Sequence, residues 1–87
     1  MTASEVENQV RAVVARYAKL GVDATTIDRS GDLYRAGMTS HASVSLMLGL
    51  ENEFDVEFPD RMLKRSLFES ISSICEAVQE LVRDAAA

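Results

Sequence analysis

A chain of 87 residues with a formal charge of -5, from 9 Lys plus Arg against 14 Asp plus Glu, has room for one domain and the wrong balance for a nucleic-acid backbone. Hydrophobic residues make up 47% of it, too many for a disordered tail, yet no apolar run reaches the roughly 20 residues of a membrane span. The opening MTASEVENQV has neither the basic flank nor the apolar stretch of a secretory signal, the lone Cys75 has no disulfide partner, and no residues show metal-ligand spacing. The expectation is a cytoplasmic, soluble, single domain over residues 1–87.

Thr2 with Glu5, and Ser4 with Glu7, both offer capping-box spacing. Val6, Val10, Val13, Val14 and Tyr17 then recur on one helical face. This first helix is predicted to stop at Gly21, with Lys19 suiting the negative end of its dipole. The next stretch, Gly21–Thr39, reads GVDATTIDRSGDLYRAGMT and is predicted to be a long loop. A loop of that length in a small domain needs a function or anchors, and Ile27, Leu33, Tyr34 and Met38 are candidate anchors. A second helix is predicted from about Ser40 to Phe54, on the spacing of Val44, Met47, Leu48 and Leu50. Phe54–Phe58 alternates like a strand but is short and has no run to pair with. Pro59 blocks helical continuation from Phe58 and can open a short third helix over Asp60–Arg65. Ser66 and Glu69 have the spacing of a further capping box, and Leu67, Ile71, Ile74, Val78 and Leu81 form the stripe of a last helix running to Val82, with Ala85–Ala87 fraying. The predicted architecture is all-α, four helices, with a long first loop and a short third helix.

No enzyme constellation emerges. His41 adjoins Ser40, but helical neighbours in sequence point in different directions, which disfavours a Ser–His dyad and leaves a surface histidine. Glu51, Glu53, Asp55 and Glu57 lack the glycine and ligand pattern of a calcium loop and read as a solvated acidic face. Cys75, beside Ile74 in the last helix, reads as a buried inert thiol. The informative residue is Ser40, at a helix start after a glycine-bearing loop. Its hydroxyl could cap the helix, or it could bear a covalently attached phosphate favoured by free N–H groups and the positive dipole end. Position alone leaves both readings open.

The stretch Asp32–Ile74 resembles the acyl carrier protein family. Asp32-Leu33 and Gly37-Met38-Thr39-Ser40-His41 match its opening motif, and Leu50-Glu51-Asn52-Glu53-Phe54-Asp55-Val56-Glu57-Phe58-Pro59 matches its close. Counted back from Leu50-Glu51, Ser40 falls on the serine that receives phosphopantetheine in that family. The resemblance implies a non-catalytic, monomeric carrier with a four-helix acyl-carrier-protein-like fold. It also implies 4'-phosphopantetheine held covalently on Ser40 and installed by a phosphopantetheinyl transferase.

Two departures stand out: Thr39 where the family usually has Asp, and His41 where it usually has an aliphatic residue. Ala42, Ser43 and Ser45 stand at positions often acidic in fatty-acid carriers, while Arg61, Lys64 and Arg65 make the following segment basic. Complementary charge steers such encounters, so a standard fatty-acid synthase partner would find a poor match. The variants GMTSHASV and DVEFPDRMLKR look like those of bacterial aminoacyl carrier proteins. That likeness implies an aminoacyl thioester as cargo and, as loading partner, a seryl-tRNA-synthetase-like, ATP-dependent amino acid:carrier protein ligase. It leaves the amino acid and the downstream acceptor enzyme open. The partner surface is expected around His41, Ala42, Ser45, Arg61, Lys64 and Arg65. The alternatives are a carrier of fatty, polyketide or other acyl groups, and a helical interaction module that is never modified.

Overall fold

A computed structural model describes residues 2–86. It contains three α-helices, α1 (Ala3–Tyr17), α2 (Ser40–Phe54) and α3 (Ile71–Ala86), with two 3₁₀ turns at Asp60–Met62 and Arg65–Phe68. No strand occurs among the described residues. The architecture is all-helical as expected, but the count of four helices is not met.

Of the two possible caps for α1, Thr2 is the one used: its hydroxyl accepts the Glu5 N–H at 3.2 Å and donates to the Glu5 carboxylate at 3.1 Å. Val6, Val10, Val13 and Val14 are buried, as their spacing implies. The helix ends at Tyr17, short of the expected Gly21, because Lys19 adopts a left-handed conformation (φ 52°) and turns the chain first. The Tyr17 ring packs against α2 at Gly49, where an added Cβ would lie 2.5 Å from two ring carbons. A mid-helix glycine costs about 1 kcal/mol of helix propensity, and the close approach of the ring explains its place here.

The long loop is pinned from Ala24 onward, whereas Val22 at its start is 53% exposed. Leu33, Met38 and Ala24 are buried in the core, and Ile27 and Tyr34 pack against it. The Arg11 guanidinium donates to the carbonyls of Ala24 (3.1 Å) and Ile27 (2.7 Å). Leu33 N–H donates to Glu69 O at 2.7 Å, and Ser72 N–H to Arg29 O at 2.8 Å, tying the loop to the start of α3. Gly37, at φ 120°, supplies a backbone turn closed to other residues, and it delivers the chain to α2.

The buried face of α2 is Ala42, Leu46, Gly49, Leu50 and Phe54. Val44 and Leu48, part of the spacing that predicts this helix, are 53% and 56% exposed. Asp55 closes the helix in the left-handed region, and the Glu51 carboxylate accepts the Phe58 N–H at 2.8 Å. Glu51 is therefore a structural tie between α2 and the chain after it, and does not belong to a merely solvated acidic face.

The expected short helix over Asp60–Arg65 does not form. Lys64 is extended (φ -122°, ψ 151°), which breaks the segment into its two 3₁₀ turns. That break lets Met62 and Phe68 both reach the core while Leu63 stays 44% exposed. The start of α3 also differs from expectation. Ser66 and Glu69 belong to the second turn and its end, and the cap is Ser70, whose hydroxyl accepts the Ser73 N–H at 3.1 Å. Ser73 Oγ in return accepts the Ser70 N–H at 3.2 Å and donates to Leu67 O at 2.7 Å. Ile71, Ile74, Cys75, Ala77 and Val78 complete the core. The helix runs through Ala85, where fraying was expected, to Ala86; Ala87 lies outside the described residues.

Candidate functional site

The first turn of α2 separates two roles that the sequence leaves merged. Thr39 is the N-cap: its backbone is extended and its hydroxyl accepts the Ala42 N–H at 3.0 Å. The first backbone bond of the helix follows, from Ser43 N–H to Thr39 O at 3.0 Å. Ser40 is thus the first helical residue and not the cap. Its side chain is exposed and takes part in no hydrogen bond among the described residues. Because Thr caps without a charge and no acid stands in the first turn, the positive end of the α2 dipole is left uncompensated. An exposed, unbonded hydroxyl at that end fits a phosphoester.

Ser40 also stands on the edge of an open groove of about 520 Å³. Ser43, Val44 and Met47 of α2 form one wall, the Leu63–Arg65 segment forms the other, and Phe68 and Tyr34 close it. Phe68 is fixed from behind by an edge-on contact with Phe58, centroids 5.9 Å apart. The Arg65 guanidinium lies 3.8 Å from the centre of the Tyr34 ring, a cation–π contact that holds it along the groove. Leu46 and Leu50, on the core side of α2, are fully buried. The groove is therefore a surface trough with an apolar floor and a basic rim.

The sequence-derived partner residues do not form one surface. Lys64 and Arg65 join Ser40 at the groove. Arg61 is exposed but pairs with Glu80 of α3 at 3.5 Å, in a cleft that Ser40 does not line. His41 is exposed beside Ser40, and Ser45 lines a different cleft, with Tyr17 and Leu48. Ala42 is only 7% exposed, because it occupies the core face of α2, so it offers no contact surface. The sequence reading missed Tyr34, Val44, Met47, Leu63 and Phe68. A signal for some of them existed: α2 carries more apolar residues than one buried face can hold.

Cys75 is buried, and that burial, with Glu7 nearby adding to it, pushes its thiol up to about 11. It is inert at neutral pH. Among the described residues no group of His, Cys, Asp and Glu could hold a metal ion, and no helix is long and apolar enough to cross a membrane.

Residues 8–78 match the family described as phosphopantetheine attachment site. The chain is 46% identical over 70 residues to an aminoacyl carrier protein of Agrobacterium fabrum, covering 80% of this chain and 84% of that one. It also resembles the carrier protein from Agrobacterium tumefaciens in a crystal structure with an engineered Bradyrhizobium japonicum glycine:[carrier protein] ligase and ATP. That likeness has a TM-score of 0.84 and 42% identity, over 87% of this chain and 99% of that one. In the corresponding complex with AMP the TM-score is 0.81 and the identity 44%, over 84% and 97% of the two chains.

Proposed function

The chain belongs to the family of carrier proteins that bear a phosphopantetheine attachment site, and we propose that Ser40 holds the 4'-phosphopantetheine and that its cargo is an aminoacyl group. The arm, once attached, supplies a terminal thiol that holds the cargo as a thioester. The protein's own residues position and expose it: Thr39 takes over capping, and the first turn of α2 turns its N–H groups and dipole toward the phosphoester. The chain is a carrier and contributes no catalytic group.

The observation that carries this reading is the exposed Ser40 hydroxyl, released from capping by Thr39. The aminoacyl cargo draws support from the identity to the Agrobacterium aminoacyl carrier protein and from the ligase complexes of the similar carrier. A ligase of that kind is then the loading partner, a phosphopantetheinyl transferase installs the arm, and a further enzyme accepts the cargo. The protein is, on this reading, a single-domain monomer that meets its ATP-dependent ligase in the cytoplasm. In this reading the two 3₁₀ turns together stand where the family's third helix would be. The partner surface we infer is the outer face of α2, with His41 and Ser45, extended by Lys64 and Arg65 across the groove.

The open apolar groove is the one feature that favours a second reading, a carrier of longer acyl chains. Loading assays separate the two. Holo-protein with ATP, glycine and an amino acid:carrier protein ligase should yield a thioester that hydroxylamine releases. Efficient charging by fatty-acid loading enzymes, with none by such ligases, would overturn the aminoacyl cargo.

A further inference from the structure

The groove beside Ser40 joins an apolar floor to a cationic rim. Val44 and Met47 on the α2 wall, with Phe68 closing the trough, provide the apolar surface, and Lys64 and Arg65 line the opposite side. No acidic side chain lines it. Neither Lys64 nor Arg65 forms an ion pair among the described residues, whereas Arg61 is paired with Glu80 and Arg35 with Asp32. Met47 follows Ser40 by two turns of α2, roughly 10 Å along the axis, so an arm anchored on Ser40 can lie along the whole floor.

Such a trough treats two states of one arm differently. An arm ending in a free thiol brings no charge to its far end and gains apolar contact. An arm carrying an aminoacyl group brings an α-ammonium, and a small cargo adds little apolar area to offset it. Like charges a few ångströms apart at a partly dry surface repel more strongly than such a cargo is held.

Resting on the reading of Ser40 as attachment point and an aminoacyl group as cargo, we propose that Lys64 and Arg65 make the groove a charge-selective seat for the arm. It accepts the arm while the terminus is neutral and rejects it once an aminoacyl group is loaded. Loading therefore moves the cargo into solvent, where an acceptor enzyme can reach it.

The test uses the full chain with three synthetic arms mounted on Ser40 by a transferase from coenzyme A analogues: free thiol, acetyl and glycyl, the last two in hydrolysis-resistant amide form. Acetyl and glycyl differ chiefly by the ammonium. The readout is the NMR shift of Val44, Met47, Leu63 and Phe68 signals relative to the unmodified protein. Thiol and acetyl arms should shift these signals, and the glycyl arm should shift them at least about threefold less. The K64Q/R65Q double variant should bring the glycyl shifts close to the acetyl ones. Raising salt to about 0.5 M in the wild type should narrow the same gap, a readout independent of how the variant folds. Equal shifts for acetyl and glycyl arms, or no groove shift with any arm, would overturn the proposal alone. Failure to mount any arm on Ser40 would overturn the attachment reading, and the selective seat with it.

Discussion

The loop between α1 and α2 and the helix α2 itself use their groups in opposite ways. The loop has no regular structure, yet its apolar anchors Leu33 and Met38 are buried and its carbonyls at Ala24, Ile27 and Arg29 are taken by Arg11 and Ser72. Helix α2 is regular, yet its outer side leaves Val44 and Leu48 more than half exposed and the Ser40 hydroxyl without a partner. The irregular segment thus turns its anchors inward, although its Val22 is 53% exposed, while the regular helix keeps apolar side chains outside. The partner surface proposed above draws on these groups, which the domain's own packing leaves unmatched.

The largest effect that could break this contrast is on the loop. Leu33→Ala should destabilise the protein by about 3 kcal/mol, lowering Tm by roughly 15 °C. A thermal melt showing a loss below about 1 kcal/mol would mean the loop is not part of the core. Arg11→Met keeps the apolar stem but removes the bonds to two loop carbonyls, for an expected loss of about 2 kcal/mol in denaturant unfolding. Hydrogen exchange should then quicken in residues 24–33, while α2 keeps its protection.

A smaller effect depends on pH. Glu7 binds Arg11 and Arg29, each at 3.1 Å, and the Arg11 hydrogen bond, ahead of that from Arg29, holds its carboxyl below the usual range. A depressed carboxylate adds stability above its unfolded value of about 4.3 and loses it as pH falls through the lower native value. Glu7→Gln should therefore flatten the decline of Tm between about pH 5 and pH 3. An unchanged slope would remove Glu7 from the acid sensitivity of the loop clamp. The smallest stability change belongs to α2: Val44→Ser with Leu48→Ser should alter stability by no more than about 0.5 kcal/mol. Loading by an amino acid:carrier protein ligase should nevertheless fall by roughly tenfold, the loss of one modest interface contact. Unchanged loading kinetics would place the partner surface elsewhere.

Much of the fold is legible in the sequence because α1 and α3 each have one apolar stripe and therefore one way to bury it. The loop anchors are legible too, since Leu33 and Met38 are too apolar to leave in water. Three features are not, and each for a physical reason. Apolar spacing predicts the helix but cannot say which of its apolar residues are buried, and Val44 and Leu48 turn out exposed. Ser66–Glu69 and Ser70–Ser73 offer the same capping spacing, and spacing alone cannot choose between them; the folded chain caps at Ser70, beside a long-range bond from Ser72 N–H to Arg29 O. The extended Lys64, which breaks the expected short helix, is set by the need to bury both Met62 and Phe68. At the site, Ser40 is legible by its motif, but the transfer of capping to Thr39 and the groove beside it require the folded chain.

Whether Ser40 carries the arm is read directly by intact mass after co-expression with a phosphopantetheinyl transferase. The wild type should gain the mass of one phosphopantetheine, localised by fragmentation to Ser40, while Ser40→Ala stays at the unmodified mass with the same helical content. An unmodified wild type, or a Ser40→Ala chain that still gains the arm, would contradict attachment at Ser40.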